Sequence, residues 1–66
     1  MEVTINGEPR TVPDSLNITS LLQHLGIPGE GVAVELDRAI VRRDAWSARP
    51  VPPGARLEIV HFVGGG

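Results

Sequence analysis

The sequence contains no cysteine and no lysine, and only two aromatic residues, Trp46 and Phe62. Without cysteine there is no disulfide staple, no thiolate metal site and no cysteine nucleophile. With so few aromatic rings there is almost nothing for a nucleic-acid base to stack on. A large excess of one charge is also lacking, since eight acidic residues face six arginines for a net charge of −2. Arg10 is the only base of the first half, and Arg38, Arg42, Arg43, Arg49 and Arg56 fall in the second. Neither half is basic enough to mark a nucleic-acid footprint. No apolar run approaches the ~20 residues that span a bilayer. Glu2 stands near the N-terminus, where an export signal would carry basic residues ahead of an apolar stretch. The expectation is a cytoplasmic protein.

What is present fits one small globular domain: 66 residues, 41% hydrophobic and 21% charged. A chain of this length buries only roughly 60% of its unfolded surface, so its stability margin is thin. Val3 and Ile5 alternate with Glu2, Thr4 and Asn6, the period of a half-buried strand. Asn6-Gly7 then supplies the residue pair that best tolerates a type I′ turn. Arg10–Val12 reads as the returning strand. Pro9 cannot donate to a ladder and makes that strand an edge.

Asn17 is a suitable N-cap. Ile18, Leu21, Leu22 and Leu25 follow at helical spacing and form one apolar stripe. Gly26 and Pro28 end the helix after about two turns. So short a helix must be held by packing against a sheet. Val32, Val34 and Leu36 mark a third strand, Asp37-Arg38 a tight connection and Ala39–Val41 a fourth strand. Asp44–Trp46 reads as a single helical turn, and Pro50–Gly54 as a stiff loop. Leu57–Val63 is the longest β-prone run.

The order β-β-α-β-β-β, with the most apolar strand last, predicts a mixed sheet of four or five strands crossed by one helix. The last strand would lie beside the first. This is the β-grasp, or ubiquitin-like, architecture of the α+β class. The expected domain is 1–63, with 64–66 a flexible tail. Val3, Ile5, Ile18, Leu21, Leu22, Leu25, Val34, Leu36, Leu57 and Ile59 are its expected core.

Gly64, Gly65 and Gly66 form a segment without side chains, attached directly to a central strand. Glycine lets a backbone approach another surface closely, so such a segment can thread a narrow active site. Its one reactive group is the α-carboxylate of Gly66, which is a poor acyl donor until activated. Terminal glycines alone would equally suit a frayed end.

Along its whole length the chain resembles the ThiS family of sulfur carriers in thiamine biosynthesis. The resemblance rests on Asn6-Gly7, the helix ending Leu25-Gly26-Ile27, and Val32-Ala33-Val34-Glu35. It continues through Ile40-Val41 with Arg43 and Trp46, Leu57-Glu58-Ile59-Val60 and the final Val63-Gly64-Gly65-Gly66. It implies that an ATP-dependent adenylating (ThiF-like) enzyme activates Gly66. Persulfide sulfur from a cysteine desulfurase or another donor then converts the adenylate to a thiocarboxylate. A thiazole synthase (ThiG-like) accepts the sulfur. The chain would be a carrier and not an enzyme, with no bound cofactor or metal. Arg42 and Ala55 depart from the family pattern, where Pro and Gly-Asp are common, and bear on docking. A molybdopterin-synthase subunit, a carrier for another sulfur pathway, a ubiquitin-like protein modifier and a plain β-grasp binding module are the alternatives.

In the last strand Leu57 and Ile59 share one face, and Glu58, Val60 and Phe62 the other. If the first pair faces the helix, Val60, Phe62 and Val63 form a partner-binding patch beside the tail. The competing expectation is that the Pro50–Pro53 loop covers them. Trp46 reads as a packing residue, His24 as solvated, and Arg42 and Arg43 as a solvated face. His24 and His61 lack metal-ligand spacing. Gly29-Glu30-Gly31 precedes no helix and is not a phosphate cradle. The absence of lysine has a bland reading, a preference for arginine codons. It also has a chemical one: an activated acyl terminus finds no lysine amine or cysteine thiol among its own side chains.

Overall fold

A computed structural model describes residues 1–62. The elements are β1 (Glu2–Ile5), β2 (Glu8–Thr11), α1 (Ile18–Leu25), β3 (Val32–Leu36), β4 (Ala39–Val41), a 3-10 helix (Arg43–Ala48) and β5 (Arg56–His61). They build one five-stranded sheet in the order β2-β1-β5-β3-β4. β5 runs parallel to β1 and antiparallel to β3 at the centre, and both hairpins are antiparallel. The β-grasp expectation holds, with the last strand beside the first.

Local chemistry explains most of the turns. Asn6 and Gly7 both take positive φ, 51° and 82°, as a type I′ hairpin turn requires. Asp37 and Arg38 do the same between β3 and β4, at 49° and 72°. The Asp37 carboxylate accepts from the Arg56 amide at 3.0 Å and ties that turn to the start of β5. Helix α1 opens with a capping box. Asn17 Oδ1 accepts from the Ser20 amide at 2.7 Å, and Ser20 Oγ accepts from the Asn17 amide at 2.9 Å. It closes on Gly26 at φ 71°, with the Ile27 amide donating to the Leu22 carbonyl at 2.9 Å.

The helix packs Ile18, Leu21 and Leu22 on one face of the sheet against Val3, Val34, Leu36 and Leu57, all buried. Leu25 packs at the margin of this core and is only half-buried. Val12, Val51 and Ala55 join the core although no periodic pattern marks them, and Val41 joins it from the end of β4. Each of the first three sits in or beside a loop, and tertiary contacts alone bury it. Ala55 is 2% exposed, so its departure from the family pattern bears on core packing and not on a docking surface. Arg42, the other departure, is exposed and lies 3.7 Å from Asp44.

Three boundaries differ from the sequence expectation. The second strand begins at Glu8 and not at Arg10, because the two-residue turn pairs Ile5 with Glu8 and Thr4 with Pro9. All four of its residues are exposed, so it shows no alternation to read. It is the expected edge, where Pro9 costs no central bond. The helical turn expected at Asp44–Trp46 is a six-residue 3-10 helix. β5 begins one residue early and ends at His61. Val63, the last expected strand residue, lies outside the described residues.

Candidate functional site: the outer face of the last strand

β5 is the strand from which the C-terminal glycines continue, and it is held on both sides. Toward β1, the Asn6 amide donates to the Leu57 carbonyl at 2.9 Å. Beyond that point β1 turns away, and the Asn6 side chain takes over. Its Oδ1 accepts from the Ile59 amide at 2.7 Å, and its Nδ2 donates to the Ile59 carbonyl at 3.1 Å. One side chain thus imitates the next residue of a strand. Toward β3, pairing runs from Leu36↔Leu57 to Val32↔His61. The Phe62 amide then donates to the Gly31 carbonyl at 2.7 Å.

The strand's two faces divide as the alternation requires. Leu57 and Ile59 are buried under the helix. Val60 and Phe62 are 52% and 63% exposed, on the opposite side. The Pro50–Gly54 loop does not cover them. It packs at the start of the helix, where the Val51 amide donates to the Leu16 carbonyl at 2.8 Å and Pro50 bridges to Asn17. Val60 and Phe62 are therefore open to solvent, the condition that a partner-binding patch requires. Val63, Gly64, Gly65 and Gly66, the other residues singled out in the sequence, lie outside the described residues.

Strand register adds a residue that the sequence reading missed. Val60 pairs with Ala33, Glu58 with Glu35, and Glu35 with Ile40 across to β4. Ile40 is on this outer face and is 76% exposed, the most exposed large hydrophobic among the described residues. Its alternation with buried Val41 was the available signal. The face is thus an apolar surface of Val60, Phe62, half-buried Ala33 and Ile40, crossed by Glu35 and Glu58. Those two carboxylates sit directly opposite each other, an arrangement that weakens strand pairing.

The helix side of β5 carries a different feature. An open groove of about 380 Å³ lies between the first hairpin and the helix C-terminus, with Ile5, Ile59, Leu25 and Ile27 along it and His61 at its rim. Among the described residues no three His, Asp or Glu side chains gather as metal ligands. Among the described residues no helix is long and apolar enough to cross a membrane. Trp46 is buried as expected, and its indole N–H donates to the Val41 carbonyl at 2.9 Å.

Comparison with known proteins agrees with this architecture. Residues 3–66 match the ThiS family. A crystal structure of the thiamine biosynthesis protein ThiS from Geobacter metallireducens superposes with a TM-score of 0.88 at 42% identity, covering all of both chains. The whole chain is also 38% identical to a thiazole synthase of Magnetococcus marinus and 41% identical to one of Paramagnetospirillum magneticum. It spans only 20% of the length of each of those two proteins.

Proposed function

The chain belongs to the ThiS family, and from that premise we propose that it carries sulfur on the carboxylate of Gly66 for thiazole formation in thiamine biosynthesis. The observation that carries the reading is the exposed apolar face of Val60 and Phe62 on the central strand that leads directly into Gly64-Gly65-Gly66. A partner that docks on that face has the glycine segment within reach, with no side chain to obstruct a narrow site.

The proposed chemistry is the one that the family implies, and the composition is compatible with it. It has no thiol to hold sulfur and no lysine amine to compete for an activated acyl group. An ATP-dependent adenylating enzyme supplies the activation. The Gly66 carboxylate attacks the α-phosphorus of ATP, pyrophosphate leaves, and the acyl-adenylate forms. A persulfide from a cysteine desulfurase or equivalent donor attacks the acyl carbon and AMP leaves. A second thiol then cleaves the sulfur–sulfur bond, is oxidised to a disulfide, and leaves the thiocarboxylate. Thiazole synthase is the proposed acceptor. The two thiazole synthases that contain a sequence like this one support that choice. The chain acts as a co-substrate of these enzymes and not as a catalyst, and the cytoplasm is its proposed location.

Intact-mass measurement tests the reading. Incubation with ATP, an adenylating enzyme and a persulfide source should add the mass of sulfur less that of oxygen. Deletion of Gly66 should abolish the gain. Unchanged mass with a competent enzyme refutes the carrier function. Conjugates surviving a denaturing gel would instead identify a protein modifier.

A further inference from the structure

We propose that Arg43 is a positioning residue that fixes Phe62, the point from which the C-terminal segment continues, acting through the loop between α1 and β3. Arg43 is exposed, as expected of a solvated face. In the structure its guanidinium donates to the Gly29 carbonyl and lies over the Trp46 ring, 5.5 Å from the centroid. That ring is a fixed platform, since Trp46 is 5% exposed and its indole N–H is bonded to Val41.

Gly29 rests directly on this pair. A Cβ at Gly29 would stand 3.3 Å from the Trp46 ring and 3.5 Å from the Arg43 guanidinium. Two residues later the same loop grips the end of the last strand, where the Gly31 carbonyl accepts from the Phe62 amide at 2.7 Å. Gly31 has φ 68°, and a Cβ there would lie 3.5 Å from the Phe62 carbonyl oxygen. One short loop is thus clamped at Gly29 by a cation and an aromatic ring, and at Gly31 it holds Phe62. On the β1 side Asn6 reaches no further than Ile59, so this hold on Phe62 comes from the loop. Val63–Gly66 continue from the residue so held.

The physical link from Arg43 to Phe62 stands independently, whereas its consequence for acyl activation rests on the carrier reading above. A docked carrier whose exit point wanders still binds through Val60 and Phe62 but presents its carboxylate poorly. The loss therefore falls on turnover and not on docking.

Two measurements on the intact chain test this, each with Arg43→Ala and Arg43→Lys. The first is amide hydrogen exchange by NMR. Loss of the clamp should speed exchange at Phe62 about fivefold or more while Ile59, bonded to Asn6, is unchanged. Lysine still donates to a carbonyl and sits over a ring, so Arg43→Lys should recover most of the protection. Unchanged Phe62 exchange, or equal acceleration at Ile59, would overturn the proposal. The second is carrier-dependent ATP–pyrophosphate exchange by an adenylating enzyme. Arg43→Ala should lower kcat about tenfold with KM for the carrier nearly unchanged. A raised KM at constant kcat would mean that Arg43 touches the partner, and would overturn the positioning role. If the unaltered chain supports no pyrophosphate exchange, the carrier reading fails, and exchange at Phe62 still decides the clamp.

Discussion

Replacing Asn6 by alanine removes both hydrogen bonds to Ile59 and forces a β-carbon residue without a polar side chain to hold φ 51°. Each bond contributes about 1 kcal/mol net, and the stranded Ile59 amide raises the loss. The left-handed backbone costs alanine a further ~1 kcal/mol relative to asparagine. The sum is about 3 kcal/mol, against a total of roughly 3–10 kcal/mol for a domain of this size. At about 4–8 °C per kcal/mol, Tm should fall by at least ~10 °C. Asn6→Gly separates the two causes. It restores the turn and loses only the bonds, so it should cost about 2 kcal/mol. Thermal and urea melts followed by the emission of Trp46, the sole tryptophan and buried in the fold, measure both variants. An Asn6→Ala protein within about 0.5 kcal/mol of the parent would refute the view that this side chain completes the β1–β5 pairing. So would an Asn6→Gly protein less stable than Asn6→Ala.

Other perturbations probe the surface and the terminus. Phe62→Ala removes a ring that is 63% exposed, so it should leave Tm almost unchanged. It should raise KM for the adenylating enzyme about tenfold or more if that ring is buried on docking; an unaltered KM removes Phe62 from the interface. Ile40→Glu, on the same face, should weaken docking without unfolding the domain, and equal affinity would confine the interface to β5. Arg42→Lys keeps the charge and adds one amine at an exposed site. Under activating conditions it should yield self-conjugates, visible as higher-mass bands that resist denaturation. A clean monomer would support the codon-preference account of the missing lysine.

Short-range chemistry explains what could be read without coordinates. The Asn6-Gly7 turn, the Asn17 cap, the apolar stripe of α1 and its Gly26 stop depend on residues a few positions apart. So does the division of β5 into a buried Leu57–Ile59 face and an exposed Val60–Phe62 face, because a strand's alternation is a property of its own backbone. The glycine-rich end was legible for the same reason, as a run with no side chains. Other features were settled by pairings across the fold. β2 had no buried face to mark its start. Val12, Val51 and Ala55 are buried by neighbours distant in sequence. Asn6 was recognisable as a turn residue, but its bonds to Ile59 span fifty-three positions. Arg43 reads as an ordinary surface arginine until the loop at Gly29 brings a carbonyl to it beside the Trp46 ring of its own 3-10 helix. Local backbone preference wrote the elements and the two faces of the last strand. Only tertiary packing decided which side chains outside those elements became core, and which ones came to hold the strand that ends in glycine.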